Sequence, residues 1–174
     1  MLRILVPSAA LRRPLRQTLG RTMQADSVIR EKEPMPITSM SQMWSALQAV
    51  TTDQAGAERP VNHLNEWGGF SKRLKVPVFT GWKDRTVYDK ESKTVTALVC
   101  DAAWTSAVGV NNQERWLAHA EKNNNRQAAF FVIHAADENA SPRKVKYIDG
   151  DAVFVGEIVR DGGKTYIKGR RQPL

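Results

Sequence analysis

Residues 144–171, KVKYIDGDAVFVGEIVRDGGKTYIKGRR, alternate polar and apolar side chains along runs broken by Asp149-Gly150 and Gly162-Gly163. A period of two marks a strand with one face against a core. A two-residue glycine turn joins such strands into hairpins. Across Asp149-Gly150 the pattern predicts Tyr147 opposite Ala152 and Val145 opposite Phe154. Across Gly162-Gly163 it predicts Asp161 opposite Lys164, Val159 opposite Tyr166 and Glu157 opposite Lys168. Both charged pairs are of opposite sign, which favours this register over a slip of one residue. One face then carries Val145, Tyr147, Ala152, Phe154, Ile158 and Ile167, an apolar surface that demands a core. The other carries Lys144, Lys146, Lys164, Tyr166, Lys168 and Arg170, mixed with Val153, Val155 and Val159.

Elsewhere the pattern shifts between periods. SMSQMWSALQAV spaces Met40, Met43, Trp44, Leu47 and Val50 as a helix face, with Ser39 as its N-cap. VNHLNEWGGFSKR reads as a turn of helix followed by a loop, and LKVPVF as a short strand placed at an edge by Pro77. TVYDKESKTVTALVCD predicts a hairpin turning between Asp89 and Lys93. NNQERWLAHAEKNNN predicts a helix capped by Asn112, with Trp116, Leu117 and Ala120 inward. QAAFFVIHAAD is a continuous apolar run, expected as a central strand. The fold expected is α+β: one domain over residues 35–174, with a mixed or antiparallel sheet, a C-terminal three-stranded meander and two main helices. A chain of 174 residues that is 41% hydrophobic suits one such core.

The net charge of +8 is unevenly spread. Residues 1–34 carry Arg3, Arg12, Arg13, Arg16, Arg21, Arg30 and Lys32 against Asp26, Glu31 and Glu33, while residues 35–142 balance to zero. The C-terminal segment carries Arg143, Lys144, Lys146, Arg160, Lys164, Lys168, Arg170 and Arg171 against Asp149, Asp151, Glu157 and Asp161. Two local excesses suggest contact with a polyanion more than a uniform charge would. Residues 1–34 read as a basic flexible extension. An Arg-rich transit peptide to mitochondria and an arm tracking phosphates have the same composition. The single cysteine, Cys100, excludes an internal disulfide framework and a multi-cysteine zinc cluster, and it suits a reducing, cytoplasmic setting. No run reaches the ~20 apolar residues of a bilayer span.

Two constellations carry chemistry. The first is the basic row Lys144, Lys146, Lys164, Tyr166, Lys168, Arg170 and Arg171, whose cations can neutralise phosphates while the tyrosine stacks on a base. Lysines also protect edge strands from pairing with other chains. The second is a set of carboxylates. Asp101 and Asp137 end two strands, and if those strands lay side by side in parallel they would converge with Glu157 to hold Mg²⁺, as in a metal-dependent nuclease. No cofactor is otherwise implied. Asp149 and Asp151 are explained as turn residues. His63, His119 and His134 have no metal-ligand spacing, and no phosphate-binding glycine loop is present. Trp82 and Trp104 fall in loop-like segments and serve recognition as readily as packing.

Gly169, Arg170 and Arg171 resemble the Gly-Arg-Arg fragment of ParB-type phosphate-binding motifs. With the chain's size and basic C-terminus, they resemble the fertility-inhibition group of plasmid accessory proteins. That resemblance implies a fold akin to ParB and sulfiredoxin. It also implies a DNA-associated protein, nuclease-active in one form, that blocks conjugative transfer of another plasmid. Three functions therefore stand as expectations. They are a nucleic-acid-associated accessory protein using the basic ribbon, a divalent-metal nuclease using Asp101, Asp137 and Glu157, and a regulatory module acting on a protein partner through its tryptophans.

Overall fold

The apolar run Ala128–Ile133 is buried at every position, as a strand must be when helices cover both faces of its sheet. In the computed structural model, which describes residues 36–53, 55–104 and 107–174, this run is the middle of a ten-stranded mixed sheet. Along the chain come α1 (Met40–Ala46), β1 (Ala49–Thr52), β2 (Glu58–Pro60), β3 (Gly68–Ser71) and β4 (Val76–Trp82). A 3-10 turn (Lys83–Arg85) leads to β5 (Thr86–Asp89), β6 (Thr94–Asp101) and α2 (Ala107–Asn123). The chain closes with β7 (Gln127–Ala135), β8 (Val145–Ile148), β9 (Ala152–Asp161) and β10 (Lys164–Pro173). The strand order is β2-β1-β3-β4-β7-β9-β10-β6-β5, with β8 added to β7. Among the described residues β4 and β7 are the one parallel pair. The expected α+β class, with a mixed sheet and two helices, is what these residues form. They belong to one unit, Met35–Leu174; the basic extension read over residues 1–34 lies outside the described residues.

Alternation along the strands builds two cores. One face presents Phe79, Val99, Phe130, Val132, Ile158 and Ile167 to Trp116, Leu117 and Ala120 of α2. The other presents Val78, Ala129, Phe131, Ile133 and Val153 to Met43, Trp44 and Leu47 of α1, where Trp44 meets Phe131 edge to face at 5.0 Å. Ser39 caps α1 as expected, in a capping box with Gln42. The helix is shorter than its pattern predicted: Gln48 turns to φ 49°, and Val50 enters β1.

The Gly162-Gly163 turn is a hairpin, with φ of 54° and 82° as a two-residue turn of this hand requires. All three predicted pairs, Lys164 with Asp161, Tyr166 with Val159 and Lys168 with Glu157, are in register. The Asp149-Gly150 hairpin does not form. Instead β8 and β9 follow one another along the same strand, β7: Ile133 faces Ile148 and His134 faces Tyr147, then Phe130 faces Phe154. Gly150 serves another need there, because the carbonyl oxygen of Ile37 sits 1.7 Å from where a Cβ would stand. The C-terminal strands β8, β9 and β10 are thus present, with the first joined to the second by a jog rather than a reversal.

Three local expectations also change. Pro77 is not on an edge: β4 lies between β3 and β7, and the β7 ladder begins only at Val78, beyond the proline. Gly68-Gly69 is the start of β3 rather than a loop. Asn112 is inside α2, not at its cap, and its Oδ1 accepts from the backbone N–H groups of Trp67 (3.1 Å) and Gly68 (2.8 Å).

Candidate functional site

Strand β10 sorts its side chains by parity. Lys164, Tyr166, Lys168 and Arg170 point to one side, while Thr165, Ile167 and Gly169 are buried on the other. Arg171 falls on the buried-side parity, off the predicted row, and pairs with Asp151. The row lies on the face that α1 covers farther along the sheet, but here the described residues place no helix over it. Lys164, Lys168 and Arg170 are exposed, and none has a carboxylate within ion-pair distance among the described residues. Lys144 and Lys146, on and just before β8, are likewise exposed and unpaired. Arg160 is spent differently: it donates to Glu121 (2.8 Å) and Glu114 (3.2 Å), tying β9 to α2, and Glu121 above all raises its pKa.

Carboxylates flank the row. Asp161 and Glu157 face Lys164 and Lys168 across β9, and Asp101 faces Lys164 across β6. Each stands on a shorter stem than the lysine opposite, so a ligand lying over β10 meets the ammonium groups first. Asp89, at the end of β5, is held below the usual carboxylate range chiefly by the Ser92 hydroxyl and backbone, with a smaller pull from Lys168.

The metal-nuclease arrangement is not assembled. β6 and β7 are not neighbours, since β9 and β10 lie between them, and successive antiparallel pairings leave the two strands antiparallel in the sheet. The Asp101 carboxylate accepts from the N–H of Ala103 and that of Asp137 from the N–H of Asn139, both at 2.9 Å, so each shapes its own turn. Glu157 is exposed on β9. Among the described residues no three acidic, histidine or cysteine side chains are placed to hold a metal.

Asp149, His134, His119 and Cys100 have structural partners. Asp149, expected to shape a turn, instead bonds His134 Nε2 at 2.9 Å, and the imidazole stacks on Tyr147 at 4.0 Å. His119 packs between Phe70 and Trp116. Burial, reinforced by Glu114, pushes the Cys100 thiol up to about 12, which leaves it protonated and a poor nucleophile.

A second site was only partly legible in the sequence. A cleft of about 960 Å³ opens where the segments after β4, β6 and β7 meet the one before β3. Its aromatic walls are Trp67, Trp82 and Trp104, and its cations are Arg85, Arg143 and Lys144, against one carboxylate, Glu138. Trp67 meets Trp104 edge to face at 5.9 Å. Arg85 lies over the Trp104 ring and Arg143 over the Trp82 ring, each at 5.4 Å. Gly109 lets α2 lie flat on Trp67, since a Cβ there would be 2.6 Å from the indole. Of these residues the sequence points to Trp82 and Trp104 for recognition, and Trp82 proves to end β4 rather than to lie in a loop. Trp67, Arg85, Arg143 and Gln113 carry no local signal that gathers them here.

The chain matches no protein-family model, no curated protein and no solved structure. No described helix is long and apolar enough to cross a membrane.

Proposed function

We propose that the protein associates with nucleic acid, with Lys164, Lys168 and Arg170 contacting phosphates and Tyr166 stacking on an exposed base. One observation carries this reading: three exposed cations and a partly exposed tyrosine share one face of a single strand, and among the described residues none of the cations is paired and no helix covers that face. From Lys164 to Arg170 the row extends about 20 Å, enough to follow several nucleotides. The flanking Glu157, Asp161 and Asp101 keep the contact narrow, so the expected ligand is a single strand lying along β10 rather than a duplex spread over the sheet. A cytoplasmic setting belongs to the same reading and fits the lone, protonated thiol.

Anisotropy of a labelled single strand across a salt series tests it. The full chain and its Lys164→Ala/Lys168→Ala variant share residues 1–34, so the basic extension contributes equally to both. Loss of two phosphate contacts should weaken binding and reduce the slope of log K against log salt by about 1.4. An unchanged slope removes the row from the interface.

A further inference from the structure

The cleft has features that the β10 row does not use. Arg143 reaches Asp84 through Nη1 alone (2.9 Å to each carboxylate oxygen), leaving Nη2 and Nε without a described partner. Arg85 approaches Asp84 only at 3.9 Å, beyond hydrogen-bond distance. Both guanidinium groups are therefore held in place by stacking on tryptophan while keeping donors to spare, which is the arrangement that grips a phosphate. Gln113, on α2, lines the same cleft. It is 1% exposed, and its Oε1 is buried with no hydrogen-bond partner. A buried acceptor left unpaired costs stability, and a ligand that supplies a donor recovers it. The volume falls in the range of small-molecule sites, which are largely apolar with a few placed polar groups.

We infer that this cleft is a nucleotide site. Trp67, Trp82 and Trp104 form the walls for the base, Arg85 and Arg143 take the phosphate, and Gln113 Oε1 accepts from an exocyclic amino group on the base. The requirement for an amino group favours cytosine over uracil, which presents an acceptor at the same position. The nucleotide is either free or one unpaired unit of a strand. The site stands apart from the β10 row and does not depend on it.

Calorimetric titration of the full chain with CMP, UMP and inorganic phosphate tests this, with anisotropy of labelled oligo-dC as a second arm. CMP is expected to bind one to one, more tightly than UMP or phosphate. Arg85→Ala should weaken it about tenfold, the usual size of a lost charged hydrogen bond. Gln113→Leu, which keeps the volume and removes the acceptor, should equalise CMP and UMP. Lys164→Ala/Lys168→Ala should leave CMP binding unchanged, so failure of the row and failure of the cleft are distinguishable. If free CMP does not bind but oligo-dC affinity falls with Arg85→Ala and with Gln113→Leu, the site takes the unpaired unit of a strand. If neither probe responds in variants that melt with the wild type, or if phosphate binds as tightly as CMP, the inference is wrong.

Discussion

One face of the sheet ends in two different ways. Over β4, β7 and the start of β9, Val78, Ala129, Phe131 and Val153 are sealed by Met43, Trp44 and Leu47. Over β10 and the rest of β9, the same face carries Lys164, Tyr166, Lys168, Glu157 and Val159, and among the described residues no helix covers it. The difference is one of reach. The seven residues of α1 make a cylinder about 10 Å long and about 10 Å wide, while strands repeat every ~4.8 Å. Such a helix shields two or three strands, and the remainder of the face must carry polar side chains or a partner. Valine and phenylalanine therefore give way to lysine and glutamate where the helix stops.

The sharpest way to break this comparison is to cut into the sealed end. Phe131→Ala removes a fully buried ring in contact with Trp44 and should cost about 3–5 kcal/mol in a urea titration. A loss under about 1 kcal/mol would mean that α1 seals nothing. Ser39→Ala removes one half of the capping box and should cost about 1 kcal/mol. The cost should appear together with faster amide exchange in β4 and β7 if the helix is their lid.

The opposite face supplies a pH test. The Cys100 thiol is held up at about 12 from an ordinary value of 9.0. The contribution of its protonated form is therefore complete below pH 9 and is lost as pH rises from 9 through about 12. Alkaline denaturation should show a steeper loss over that interval than in Cys100→Ala, and a thiol reagent at pH 8 should label the unfolded chain but not the native one. The smallest effect belongs to the open end, where Lys168→Ala should change stability by no more than about 0.5 kcal/mol. A larger change would show that the row is structural.

What could be read from the sequence was what neighbouring residues settle between themselves. The β9–β10 register was legible because Gly162-Gly163 meets a backbone demand and the flanking charges agree with it. Asp149-Gly150 carries the same signature for a different reason: its glycine makes room for the Ile37 carbonyl, a contact made by a distant segment. Asp101 and Asp137 failed as a pair because strand order, not strand content, decides which ends are neighbours. The cleft gathers residues from Met40 to Val145, and contacts such as Arg143 over Trp82 leave no local pattern. Asn112 has the residue type of an N-cap but not the place, since a side chain suited to capping a helix also suits the backbone N–H groups of Trp67 and Gly68 at the entry to β3.

The position of β10 bears on how the chain is made. β6 pairs with β5 on one side and with β10 on the other, yet α2, β7, β8 and β9 are all synthesised between β6 and β10. While the ribosome works through them, the β-branched, apolar strand Thr94–Asp101 waits with one row of backbone groups open. An open edge of that kind invites pairing with other chains. Premature association during synthesis should therefore begin at β6, and any chaperone that attends this protein has most reason to hold it there.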